Sequence, residues 1–167
     1  MKLVLAIMCT FAAVLLHTAP VAAQATDEGQ IRALEDRFAA AVRGGDLDAV
    51  MKVYMPDQTL FVFDVVPPRQ YVGAAAYRKD WAEFINDFEG PVQFDISELA
   101  VTVEGNLAFG HSIQHVVGKN KKGQTVDLTV RVTDGYRKIG GNWLIAHEHV
   151  SVPVDLETGQ ADLNSKP

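Results

Sequence analysis

Residues 131–138 (RVTDGYRK) and 143–151 (WLIAHEHVS), joined across Gly140-Gly141-Asn142, decide the fold. Both runs alternate β-branched or aromatic residues with polar ones, which is strand periodicity, and the glycine pair before an asparagine is a hairpin turn. Read back toward the N-terminus, the same signals give runs at about 92–104 and 107–118, joined at Gly105-Asn106. The Lys119–Gly123 segment leads into the full third run at about 124–138, and the last run extends over about 142–154. Four strands in sequence with short turns form an antiparallel meander. Polar residues after about Asp155 are expected to trail along the surface.

What precedes the meander is mostly helical. Over 27–43, Ile31, Leu34, Phe38, Ala41 and Val42 recur at helical spacing, with Thr26 or Asp27 placed to cap the start. Gly44-Gly45 ends that helix, and Asp46 caps a shorter one whose apolar face is Leu47, Val50, Met51 and Tyr54. Thr59–Asp64 has strand character, and Pro67-Pro68 and Gly73 bracket a loop. From Ala74 to Phe88 helical spacing returns, with Tyr77, Trp81, Phe84, Ile85 and Phe88 on one face. The pattern predicts an α+β fold: an N-terminal helical layer against a curved antiparallel sheet, with room for a cavity between them.

The first residues read as a leader. Lys2, an apolar run from Leu3 to Leu16 and the small-residue stretch Ala19–Ala25 are the parts of a secretory signal peptide, with cleavage after Ala23 or Ala25. The expected layout is therefore a signal peptide over 1–23 and one domain over 24–167, exported to the periplasm or beyond. Cleavage removes Cys9, the only cysteine, so the mature chain depends on its hydrophobic core and not on disulfides. A net charge of −6 without a basic run beyond Lys119–Lys122 argues against nucleic acid or an anionic membrane as partner. The mature part holds no stretch long and apolar enough to span a bilayer.

Strand parity sorts the side chains into faces. In the third run Val126, Leu128, Val130 and Val132 share one face, while Asp127, Thr129, Arg131 and Thr133 share the other. In the last run Trp143, Ile145, His147, His149 and Ser151 fall together. Arg131, Thr133, His147, His149 and Ser151 are thus expected to form one polar wall, with His111 on a neighbouring strand. His147 and His149 lie about 7 Å apart by strand rise, but Arg131 beside them repels a cation, so no metal is expected. There is no dinucleotide or phosphate loop either, and no cofactor is expected.

Arg131-Val-Thr133, Tyr136-Arg-Lys138, the glycine turn and Trp143-Leu-Ile-Ala-His147-Glu-His149-Val-Ser151 together resemble a SnoaL-like domain of the nuclear transport factor 2-like superfamily. The same pattern is similar to the association domain of calcium/calmodulin-dependent kinase II. Gly45-Asp-Leu-Asp-Ala-Val50, Tyr54-Met-Pro-Asp57 and Tyr71-Val-Gly73 agree in order, so the resemblance covers about residues 28–154. It implies a cone: a strongly curved sheet wrapped round helices, with a deep pocket at the open end and dimers packed through the sheet. Members include ketosteroid isomerases, polyketide cyclases, dehydratases and proteins without a known reaction. In the isomerases an aspartate after the first strand is the base, and a tyrosine and a protonated aspartic acid bind the enolate oxygen. Those positions correspond to Asp64, to Phe38 and to the Thr129–Thr133 stretch, where Arg131 is the stand-in.

The resemblance therefore implies a small-molecule pocket and leaves its use open. One reading is an isomerase, cyclase or dehydratase in which Asp64 removes a proton and Arg131 with His149 stabilises an enolate. The other is a binding module in which Arg131, His149 and Thr133 clamp the carboxylate or carbonyl of an apolar ligand, with Tyr54, Phe63 and Trp81 as walls. A third makes the sheet a dimerisation surface.

Overall fold

A computed structural model describes residues 26–165; the expected signal peptide lies outside them. Helix α1 (Asp27–Gly44) opens at Thr26, whose hydroxyl accepts the Gly29 N–H at 3.1 Å. It closes at Gly45, which takes the left-handed φ of 65° that glycine tolerates and donates to the last-turn carbonyls. Its apolar stripe, Ile31, Leu34, Phe38 and Val42, is buried against the sheet. Asp46 caps the short α2 (Leu47–Met51) by accepting from the Ala49 N–H at 2.9 Å.

After α2 come β1 (Phe61–Phe63), β2 (Tyr71–Val72), α3 (Ala74–Asp87) and the four long strands β3 (Gln93–Glu104), β4 (Leu107–Lys119), β5 (Thr125–Ile139) and β6 (Asn142–Ser151). The six strands form one curved open sheet in the order β2-β1-β6-β5-β4-β3. The meander β3–β6 is antiparallel throughout, while β1 joins β6 as a parallel neighbour. The helices cover the face that carries Val116, Tyr136 and Ile145. Strand β6 ends at Ser151, short of the expected 154. The tail then folds back beside β5, with the Thr129 N–H donating to the Leu163 carbonyl at 2.7 Å.

Two bulges bend the sheet. On β3 the register shifts between Ser97 and Ala100, where Glu98 takes φ 54°. On β6, His147 stands opposite Gly135 but Ile145 stands opposite Tyr136, so Ala146 is an extra residue. A bulge shifts the following side chains by one position and strengthens the local twist. The β6 bulge falls where the strand changes neighbours. Its first half is flanked by Val53–Met55, with the Met55 N–H donating to the Ile145 carbonyl and the Ile145 N–H to the Val53 carbonyl, each at 2.8 Å. Its second half pairs with β1, from Phe61–His147 to Phe63–His149.

Candidate functional site

A cavity of about 500 Å³ lies between α3, α1 and the inner face of the sheet. Its walls are mainly apolar: Phe38, Trp81, Phe84 and Phe94 on one side, Val116, Leu128, Val130 and Val150 on the other. The lining also includes Asp64, Asp80, Glu83, Asp87, Gln114 and Glu148, and it contains no lysine, arginine or histidine. A cavity with this lining repels anions and admits uncharged or cationic molecules. It is a poor host for the carboxylate ligand considered from the sequence.

The polar floor is a connected set of carboxyls and phenols. Glu148, on β6 beyond the bulge, accepts from the Tyr54 hydroxyl at 3.0 Å through Oε2 and from the Tyr77 hydroxyl through Oε1. The Tyr77 oxygen also lies 3.3 Å from Asp64 Oδ2. Asp64 follows β1, and its Oδ1 accepts the Val65 N–H at 2.5 Å. Asp80 reaches Asp64 from α3 and accepts from the Tyr71 hydroxyl at 2.6 Å. On the other side of Glu148, Asp134 sits directly across the β5–β6 pair. Tyr136 continues the chain, donating to Glu35 on α1 at 2.8 Å, with Asp134 Oδ2 at 3.5 Å from the same hydroxyl.

Burial dominates the electrostatics. Glu35, Asp134 and Glu148 are 2%, 2% and 3% exposed, and loss of hydration disfavours their charged forms. Desolvation pushes Glu148 up to about 7, against hydrogen bonds from Tyr77 and Tyr54 that favour its carboxylate. Glu35 is likewise pushed up to about 7, while burial and the neighbouring Glu148 hold Asp134 well above the usual carboxylate range. Asp64 is raised by partial burial, restrained by the backbone N–H groups of Val66 and Val65. Two donors at the cavity lack partners, Gln114 Nε2 and Trp81 Nε1. Leaving such a group unpaired costs about 1–3 kcal/mol.

Of the residues expected from the sequence, Asp64 and Trp81 line the cavity. Tyr54 is buried beneath it and touches it through Glu148. The polar wall of Arg131, Thr133, His147, His149 and Ser151 does not face the cavity. Arg131, Thr133 and His149 are exposed on the opposite, outer face of the sheet, and His111 is exposed there as well. His147 accepts from or donates to nothing in the cavity; its Nδ1 lies 2.8 Å from the Phe61 carbonyl. Phe63 packs outward, its ring 5.8 Å from His147 and 5.6 Å from His149. Ser151, half-buried, pairs across to Arg131. For the histidines the physical reason is the Ala146 bulge: Trp143 and Ile145 point inward, His147 and His149 outward, and Glu148 takes the inward position; Arg131 and Thr133 face outward because β5 turns its apolar Val130 and Val132 inward.

The acids that do face inward carried a signal in the sequence. Glu35 interrupts the apolar stripe of α1 one turn after Ile31, and Asp134 and Tyr136 continue the even-numbered series from Val126 to Val132. A carboxyl on an apolar face is a buried carboxyl, and strongly perturbed acids gather at functional sites. Phe38 lines the cavity, as the family position implied.

This α1–α3 layer on a curved open sheet, with a cavity between the layers, agrees with the known proteins that the chain resembles. Residues 31–155 match the model of the SnoaL-like domain, and the chain belongs to that family. A nuclear transport factor 2-like protein of unknown function from Pseudomonas putida is 34% identical and superposes with a TM-score of 0.74, over 84% of this chain and 96% of that one. A provisionally named dehydratase of the same superfamily from Streptomyces avermitilis shares the fold at 18% identity, TM-score 0.66, over 75% and 95% of the two chains. A provisionally named calcium/calmodulin-dependent protein kinase II association domain from Xanthomonas campestris shares it at 22% identity, TM-score 0.64, over 83% and 96%. Among curated proteins none matches this chain.

Proposed function

We propose that the protein is an acid–base enzyme that moves a proton on a small, uncharged, mainly apolar carbonyl compound, as an isomerase, cyclase or dehydratase does. The observation that carries this reading is the Asp64–Tyr77–Glu148 chain, two carboxyls bridged by one phenol at the floor of an apolar cavity. Asp64, raised by burial, is the proton acceptor. Glu148, poised at about 7, is the acid that donates to the ligand oxygen. In the first step Asp64 takes the C–H proton and Glu148 gives its own to the oxygen. Tyr77 resets the pair by passing its hydroxyl proton to Glu148 and taking one from Asp64. Arg131 and His149 have no part in this chemistry, since both lie on the outer face.

That outer face supports a second element of the proposal, a homodimer packed through the sheet. The partly exposed ladder of Phe61, Phe63, His147 and His149, with Phe109 51% exposed two strands beyond β6, is apolar enough to be covered. Export through the leader over 1–23 completes it.

The test is hydrogen exchange in D₂O against a panel of uncharged alicyclic ketones and hydroxyketones, read by proton NMR. Wild-type protein is expected to accelerate deuterium uptake next to the carbonyl of at least one of them. Asp64→Asn is expected to lose that exchange, by a factor of about 10² or more as for other positioned bases, while still binding the same ketone. Binding without exchange in the wild type would leave a binding module in place of an enzyme.

A further inference from the structure

We infer that Asp134 is a positioning residue that shares one proton with Glu148 across the β5–β6 pair, and that Tyr136 and Glu35 hold this pair from behind. The inference deepens the acid role given to Glu148 and rests on that reading for its functional meaning, though not for its chemistry.

Counting hydrogens leads to it. Asp134 and Glu148 are directly opposed in the strand register, and both face inward at 2% and 3% exposure. Two ionised carboxylates are acceptors only, so two that stand opposite each other out of water repel unless one of them keeps a proton to donate. No neighbouring hydroxyl can supply it. Tyr54 and Tyr77 each have one hydrogen, and both are directed at Glu148. Tyr136 also has one, and its nearer acceptor is Glu35 Oε1 at 2.8 Å, against 3.5 Å to Asp134. Asp134 Oδ1 and Glu35 Oε2 have no hydrogen-bond partner among the described residues, which a fully buried carboxylate could not sustain but a carboxylic acid can.

The groups facing Glu148 come from every element packed round it: Tyr54 before β1, Asp64 after it, Tyr77 on α3, Asp134 on β5, and Glu35 from α1 further back. All are acids or phenols. A second negative charge beside Glu148 has no cation to offset it, so the pair retains a proton at neutral pH, as close carboxyl pairs do when like charges cannot both form. When Glu148 gives that proton to a ligand, the pair goes from one negative charge to two, and their repulsion draws a proton back through Tyr77. Asp134 never meets the ligand. It determines the protonation state of the residue that does.

The experiment is a carbon-13 NMR titration of side-chain carboxyls in the full chain without ligand, comparing wild type with Asp134→Asn and Glu35→Gln, and assigning Glu148 with Glu148→Gln. In wild type one carboxyl of the pair is expected to stay protonated from pH 5 to pH 8. In Asp134→Asn the introduced amide cannot carry the charge and offers its hydrogens to Glu148, so the Glu148 midpoint is expected to fall by about one pH unit or more. Glu35→Gln should lower it by less, because its effect passes through Tyr136 and Asp134. A Glu148 midpoint that both variants leave unmoved would overturn the inference, because a merely structural Asp134 would alter stability without altering that titration. Should Asp134→Asn fail to fold, the wild type still decides: no carboxylic-acid carbonyl stretch in its infrared spectrum at pH 7 would refute the shared proton. Confirmed sharing together with no deuterium uptake by any ketone would count against the enzymatic reading alone.

Discussion

Replacing Glu35 by glutamine should make the protein's stability less dependent on pH. Glu35 is 2% exposed, accepts one hydrogen bond from Tyr136, and has a second oxygen without a partner. Its carboxyl ionises near 4.5 in an unfolded chain and is pushed up to about 7 in the fold, chiefly by burial. Between those values the unfolded chain has released a proton that the folded chain still holds. Stability therefore falls as pH rises through this window: the contribution is complete below about 4.5 and lost above about 7. At roughly 1.4 kcal/mol per pH unit of difference, the full loss is about 3 kcal/mol, of which about 2–3 kcal/mol falls between pH 5 and pH 8. Glutamine keeps the shape and carries no charge, so Glu35→Gln removes that part of the slope. Urea unfolding of both proteins at several pH values measures it, and a change of this size moves the midpoint by about 1–3 M for slopes of about 1–3 kcal/mol/M. The quantity of interest is the difference between the two curves as pH changes, which any fixed packing cost of the substitution leaves intact. Parallel curves from pH 5 to pH 8 would mean that Glu35 is not a neutral buried acid, and the account of the acid cluster would be wrong at its root.

The outer face makes a complementary prediction. Arg131→Ala and His149→Ala should leave ketone binding and deuterium uptake within about twofold of wild type, as exposed substitutions usually do; sedimentation should show weaker self-association if copies pack through the sheet. Gly118→Ala tests the cavity wall from the other side. A Cβ at Gly118 would lie 2.7 Å from the Phe88 ring and 2.9 Å from Val92, so the ring that lines the cavity must move. A loss of about 1–3 kcal/mol is expected from overpacking, with altered ketone affinity measured by calorimetry, whereas unchanged stability and affinity would place the Phe88 ring elsewhere.

Most of the fold was legible because periodicity and turn chemistry agreed along the chain. The capped α1, the Gly45 stop, the Asp46 cap, the amphipathic α3 and the meander with its glycine turns all lie within a residue or two of where local patterns put them, apart from the end of β6. The two-residue β2 was not legible, because so short a strand has no period and exists through its pairing with β1. The parallel docking of β1 on β6 is likewise a tertiary fact. The site was half legible. Asp64 and Trp81 stand out in the sequence and line the cavity, while Glu35 and Asp134, though visible as acids on apolar faces, are less conspicuous than the histidines and the arginine.

The error on the histidines has a single structural cause, and it bears on function. Strict alternation through β6 would put Trp143, Ile145, His147 and His149 on one face and leave Glu148 on the other. Trp143 and Ile145 are 4% and 0% exposed and must point inward, so with Ala146 in a regular place in the alternation the two imidazoles would enter the cavity and the carboxyl would face outward. Ala146 breaks the alternation where β6 exchanges Val53–Met55 for β1 as its neighbour. That exchange also places Tyr54 beside Ile145 and Asp64 just past β1, the two positions from which they meet Glu148 directly and through Tyr77. The bulge at Ala146, where regular alternation would bring imidazoles inward, thus gives the cavity an acidic floor and assembles the carboxyl–phenol chain in the same place. No local pattern around Ala146 encodes it; the bulge follows from two different segments competing for one edge of the strand. Deleting Ala146 would straighten β6 yet keep His147 outward and Glu148 inward, because His147 would then follow the inward Ile145 directly, so the acidic floor and the charge of the ligand it accepts should survive the deletion.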